Sequence, residues 1–210
     1  MKKVLPLLLL AFVMCQCNFG SSSDQPSKNS LRDKYPEKFT TEYVADRAAS
    51  LSDKLCHCDP YNVYAFNNVF TKEYGDLLKQ ALALPQGIDG DGPSSGLWIE
   101  FAGELCSVLA ITDVKVTDNK AVVTMDSEYY DTDNLTMMFV DDDWVIDDLG
   151  NCSKKWLKGM IQESCKYYKS IDWLELIHML EERGYSKEDA VEASEGFQQE
   201  IESYFEIYPK

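Results

Sequence analysis

Apolar positions set the first elements. From Thr40 they recur at three- and four-residue steps through Tyr43, Val44, Ala48, Leu51 and Leu55, the spacing of one helix face. Thr40 or Thr41 is placed to cap its first turn. Asp59-Pro60 predicts a restart with a cap and a proline at the first helical position, giving a short helix through Phe70. Thr71 opens a third helix, Lys72 to Leu84, on which Tyr74, Leu77, Leu78, Ala81 and Leu82 form one stripe. Pro85 and the glycines after it end that helix.

Between Leu109 and Gly150 the period falls to two. Ile111–Thr117 and Ala121–Met125 are joined by Asp118-Asn119, and Leu135–Val140 is joined to Trp144–Asp147 through Asp141-Asp142-Asp143. Consecutive hairpins predict an antiparallel sheet. Gly96–Cys106 fits a short strand or a helix equally by periodicity. Past Asn151 the helical spacing returns, with Trp156, Leu157, Met160 and Ile161 on one face and Ile171, Leu174, Ile177, Met179 and Leu180 on another. Gly184 stops the second of these. Tyr185 to Ala190 then predicts a capped restart, with Ser186 reaching forward, Asp189 reaching back and Tyr185 packing on Ala190. The result is a helical hairpin that ends in Phe197, Ile201, Tyr204, Phe205 and Tyr208. The fold class is α+β: N-terminal helices on an antiparallel sheet, followed by a C-terminal helical hairpin.

The first residues add a second kind of pattern. Met1-Lys2-Lys3 precedes an apolar run from Val4 to Met14, a positive end and hydrophobic segment of secretory type. A bilayer crossing needs about 20 apolar residues, and this run contains Pro6 and stops at Cys15-Gln16-Cys17. The region resembles bacterial lipoproteins, which are cut before a cysteine that then carries acyl chains. That resemblance implies lipidation of Cys17, or of Cys15 in the alternative register, although Gln16 and Met14 stand where the pattern prefers a small residue. The division that follows is 1–17 as signal peptide, 18–38 as a polar tether, 39–152 as the α+β domain and 153–210 as a helical extension. Residues 18–38 hold too few apolar groups to fold alone.

Charge narrows the partners. The chain carries a formal charge of −16, with 36 acidic against 20 basic residues, and removing the signal takes away only Lys2 and Lys3. The sequence shows no basic stripe with interleaved aromatics, which excludes nucleic acid as a partner class. Contact with a membrane is expected only through the acyl chain. The acidity serves solubility or, in a sharper reading, a basic protein partner. Cys56, Cys58, Cys106, Cys152 and Cys165 follow the tether. In an oxidising compartment they allow up to two disulfides, with at least one of Cys56 and Cys58 expected to reach a distant cysteine.

The order of elements, with Phe70-Thr71-Lys72-Glu73-Tyr74 at a helix start, Val114–Val116 paired to Ala121–Val123, and Asp143-Trp144-Val145-Ile146-Asp147-Asp148, resembles the cystatin-like conical fold of nuclear transport factor two and its relatives. The likeness covers roughly residues 40–150. It looks most like small secreted or lipid-anchored members in Gram-negative bacteria, which implies a periplasmic or cell-envelope location. In that fold a curved sheet wraps a helix and leaves a cavity at the wide end. The resemblance implies a ligand lining drawn from Trp98, Met125, Tyr129, Met137, Phe139 and Trp144, apolar and adaptable.

Chemistry beyond binding is thinly signalled. An acid/base enzyme of that superfamily needs a buried carboxylate beside a tyrosine, for which Asp126, Tyr129 and Tyr130 are the best candidates. Solvent-facing acids are ordinary in alternating strands, and this holds for Asp126, Asp147 and Asp148. His57 between Cys56 and Cys58 cannot readily form a tetrahedral zinc set with so few neighbours. Gly87–Gly92 lacks the Glu that a calcium hand requires, and Cys106 has no evident histidine partner. No cofactor and no metal is expected, and no catalytic residue is assigned. The reading is a non-enzymatic, surface-tethered protein binding a small ligand or a partner. Its alternatives are an acidic immunity or inhibitor protein against a basic toxin or enzyme, and then an isomerase or dehydratase.

Overall fold

The computed structural model describes residues 31–57, 68–90, 92, 97, 106, 108–127 and 133–209. A single helical turn, α1 (Leu31–Lys34), and a 3-10 turn (Pro36–Phe39) lead into α2 (Thr41–Cys56). The Thr40 hydroxyl accepts from the Tyr43 amide at 3.2 Å and sets where α2 begins. Residues 31–38, read as the end of the tether, carry a helical turn and most of a 3-10 turn. Phe39, the first residue of the expected domain, is buried, and Tyr35 packs against the core, an aromatic that a polar average over 18–38 conceals.

α3 (Lys72–Leu82) starts at its expected cap, Thr71, whose hydroxyl accepts from the Tyr74 amide. The segment before it does not run helically through Phe70. Asn68 lies in the left-handed region at φ 60°, and Phe70 forms a parallel bridge to Ile146. The Ile146 amide donates to the Val69 carbonyl at 2.7 Å and the Thr71 amide to the Ile146 carbonyl at 2.8 Å. The short helix expected from Asp59-Pro60 otherwise lies outside the described residues.

The sheet comprises β1 (Val108–Thr117), β2 (Lys120–Ser127), β3 (Asp133–Val140) and β4 (Asp143–Leu149), antiparallel and in sequence order. Asp118, Asp141 and Asp142 occupy positive φ in the two hairpin turns, as tight two-residue connections require. Alternation decides the faces. Ala121, Val123, Met125, Leu135, Met137, Phe139, Trp144, Ile146 and Leu149 are buried and meet Val44, Ala48, Leu51 and Leu55 of α2 and Tyr74, Leu78 and Ala81 of α3 in one cluster. β1 is the open edge. Bulges near Val108–Ala110 and Ile111–Asp113, with exposed Asp113 and Lys115, blunt it against pairing with other chains.

α4 (Lys154–Ser170), α5 (Trp173–Glu182) and α6 (Lys187–Ile207) complete the chain. They do not form a separate layer. Leu157, Ile161, Cys165 and Tyr168 of α4 and Phe197, Ile201 and Tyr204 of α6 join the same core as the sheet, so 39–152 and 153–210 share one interior. Ser186 caps α6, accepting from the Asp189 amide at 3.1 Å. Asp189 reaches back to the Ser186 hydroxyl at 2.7 Å rather than to its backbone amide.

Cys56 at the end of α2 is bonded to Cys106, which ties the helix to the start of the sheet region. The bridge closes a separation of 50 residues, worth about 4 kcal/mol in the loop-entropy account. Cys152 and Cys165, counted as possible disulfide partners, are buried thiols. Cys58 and Cys17 lie outside the described residues. No described helix is long and apolar enough to cross a membrane.

Candidate functional site

Four of the expected lining residues can be placed. Met137 and Trp144 are fully buried and Phe139 nearly so. The Phe139 ring lies 4.7 Å from Phe39 and 5.4 Å from Trp144, and the Trp144 indole N–H donates to the Lys38 carbonyl at 2.6 Å. These three sit within the core cluster and line none of the described cavities. Met125, also buried, borders a crevice beside the Cys56–Cys106 bridge between α2 and β1. Trp98, Tyr129 and Tyr130 lie outside the described residues.

The candidate acids have structural partners. Asp147 accepts from the Thr71 hydroxyl at 2.8 Å and from Lys154 Nζ at 2.7 Å. Asp148 accepts from the Lys154 amide at 2.7 Å, closing the first turn of α4. Burial works against charge on Lys154, but Asp147 and Glu73 outweigh it and raise the lysine above its ordinary range. Glu73, held by Lys158 and Lys154, is lowered. Asp126 is exposed on β2.

Two crevices are candidates. One, of about 560 Å³, lies where α3 meets the β3–β4 turn and includes Arg47, Lys72, Asp76 and Asp143. Four of these charges answer one another. Arg47 pairs with Asp143 at 3.1 Å and donates to the Trp144 carbonyl at 3.2 Å, Tyr43 donates to Asp143, and Lys72 pairs with Asp76. That arrangement clamps the edge of β4 with the paired charges, and Lys79 and Asp141 complete a strongly charged lining.

The other, of about 420 Å³, opens between the loop after α3 and the C-terminal helices. α4 supplies Tyr167 and Tyr168, α5 supplies Leu176, Met179 and Leu180, and α6 supplies Phe197. Tyr168 meets Phe197 edge-on, with centroids 6.1 Å apart, and its hydroxyl donates to the Pro85 carbonyl at 3.1 Å. The loop is thereby pinned to the helices. Burial raises the Tyr168 phenol, which stays neutral.

The mouth is built by the end of α5. Gly184 takes φ 99°, its amide donates to the Glu181 carbonyl, and the Tyr185 amide reaches back to Leu180 at 3.1 Å, a Schellman closure that only glycine makes without strain. Arg183 and Tyr185 are thereby aimed at the loop. Arg183 pairs with Asp89 at 2.6 Å and the Tyr185 hydroxyl donates to the same carboxylate at 3.3 Å. Among the described lining residues the ionisable side chains are Asp89, Arg183 and the two tyrosines. The interior offers aromatic faces and a thioether, and the rim offers one exposed ion pair, worth at most about 1 kcal/mol and so easily exchanged for a ligand's polar group. The sequence contained this site as Met179 and Leu180 on α5 and the glycine loop after Pro85, but its members come from three helices and a loop whose packing no periodicity shows.

No family model, curated protein or solved structure matches the chain.

Proposed function

We propose that the chain is an extracytoplasmic binding protein of the cystatin-like kind, held on a membrane by a lipid on Cys17, whose ligand seat is the aromatic crevice between the Pro85–Gly92 loop and the C-terminal helices. The carrying observation is that crevice: aromatic and aliphatic side chains inside, tyrosine hydroxyls and a rim ion pair as its polar side-chain groups, and a volume at which small ligands are taken. It favours a small molecule with an apolar or saccharide face and one polar end. The helices-then-meander order supports the conical assignment, and the Cys56–Cys106 bridge suits an oxidising compartment.

The test is a thermal-shift screen of apolar and saccharide ligands against the native chain and Leu176→Trp, which fills the crevice. A ligand at 100 times its Kd adds about 2.7 kcal/mol, a shift of roughly 5–10 °C at this size, and Leu176→Trp removes it while keeping its own cooperative melt. A screen in which no such ligand moves the native melt, or in which the filled variant responds equally, overturns the seat.

One observation favours the inhibitor reading as a second choice: α6 carries seven acids against Lys187 alone. Capture of a basic protein that weakens steeply with salt, with the crevice variant unaffected, selects it.

A further inference from the structure

We infer that the exposed face of α4 lies on an anionic membrane surface and fixes how the tethered protein stands there. The inference rests on the lipid-tether reading for placing the chain at a membrane, and on α4 itself for the contact.

α4 is the exception in an acidic chain. Its 17 residues hold five lysines and one glutamate, within a molecule of charge −16. Its inner face is fixed by Leu157, Ile161, Ser164, Cys165 and Tyr168, all buried. At 100° per residue, Lys155 and Lys166 then fall on the solvent side within about 20° of one another, and Lys158 and Lys169 continue the row along one flank towards the buried face. All four are exposed. Lys158 pairs with Glu73 and Lys166 lies at 4.0 Å from Glu163, both on the surface. Lys169 lies over the Phe205 ring.

Two large aromatics stand on the other flank of the exposed side, about 80–120° round the helix from Lys155 and Lys166. Trp156 is 39% exposed and Tyr167 57%, and they lie on one side of the helix, eleven positions and roughly 16 Å apart along the axis. Tryptophan and tyrosine beside lysines is the chemistry of a bilayer interface, where rings sit among headgroups and ammonium groups meet lipid phosphates. Tyr167 also belongs to the rim of the crevice, so a molecule leaving the lipid surface meets the proposed seat at that side chain.

The net charge does not forbid this contact. Screening confines attraction and repulsion to about 8 Å at physiological salt, so a membrane responds to the face presented rather than to the total. A second copy, offering the acids of α6 to these lysines, is the competing occupant. The exposed tryptophan and tyrosine argue against it, because they gain more from an interface of lipid headgroups than from a row of carboxylates.

The chain from residue 18 onward keeps every described residue and lacks the acyl anchor, so it isolates the face. It is sedimented with vesicles of phosphatidylethanolamine and phosphatidylglycerol at 3:1, and with phosphatidylcholine alone. The expected result is binding to the anionic vesicles only, weakened roughly 100-fold by Lys155→Glu, Lys166→Glu and Lys169→Glu together at about fivefold per lysine. Trp156→Ala with Tyr167→Ala lowers it further at fixed salt, and unchanged circular dichroism and melting show that each variant is folded. Equal binding to both vesicles, or anionic binding untouched by the lysine reversals, overturns the inference. So does an ultracentrifuge result in which the reversals abolish self-association and leave vesicle binding intact. Mass spectrometry of Cys17 from the native host separates the two readings. Acylated Cys17 without anionic-vesicle binding removes the face and keeps the tether, whereas such binding with unmodified Cys17 removes the tether and keeps the face.

Discussion

Trp144 shows how much one side chain fixes. It is fully buried, its rings meet Phe39 at 5.2 Å and Phe139 at 5.4 Å, and its indole N–H is the partner of the Lys38 carbonyl. Trp144→Phe removes that donor, strands a carbonyl and opens space in the core, at a cost of about 2–4 kcal/mol. Urea unfolding followed by circular dichroism measures it, and a loss under 1 kcal/mol would show that the N-terminal turn is not held through this residue. Residue-scale features written in local chemistry were legible in the sequence: Thr40 and Thr71 each cap the helix they precede, because a hydroxyl and an amide three positions on are all that a cap needs. Phe39 and Tyr35 were not, since their partners lie about a hundred positions away.

At the scale of elements, the two hairpins were legible because alternation and turn chemistry agree. The second turn places Asp141 at φ 50° and Asp142 at φ 71°, a conformation that aspartate tolerates and glycine adopts freely. Asp142→Gly should therefore raise stability by about 0.5–1 kcal/mol, despite losing a 3.8 Å surface pair with Lys34 of little worth. A fall in the thermal midpoint would mean that this pair outweighs the backbone gain. The C-terminal helices were less legible. Periodicity put Leu174 and Met179 on one buried face with Leu180, whereas Leu174 is 72% exposed and Met179 44%. The apolar residues of α5 serve two surfaces, the core and the crevice rim, and a single-stripe expectation merges them. The basic row on α4 escaped for a related reason: lysines three to eight positions apart do not read as a cluster until the helix winds them together.

For the whole molecule, the decisive arrangement is the shared interior, in which Tyr168 and Tyr204 of the C-terminal helices lie buried in the core that also holds the sheet. No local pattern could show this, because it depends on how α4 and α6 return across α3. It has a consequence at high pH. Burial raises both phenols above the ordinary tyrosine value, while in the unfolded chain they ionise near pH 10. Below that pH both states hold the protons and the stabilisation is complete. As pH climbs past 10 the unfolded state releases protons that the folded state keeps, so stability falls with pH, at most by about 1.4 kcal/mol per unit for each tyrosine. Lys154, also raised, adds to the loss in the same direction. The expected outcome is cooperative alkaline unfolding in which helix and sheet signals disappear together, since the core is common to both. Tyr168→Phe with Tyr204→Phe makes the test sharp. At pH 7 it forfeits the bond to the Pro85 carbonyl and costs about 1 kcal/mol, yet it removes two groups that drive the alkaline transition and moves that midpoint upward. Circular dichroism between pH 9 and pH 12 in the two proteins reads both effects. An alkaline midpoint that stays put or falls would locate the titrating groups elsewhere and detach the phenols from the stability of the core.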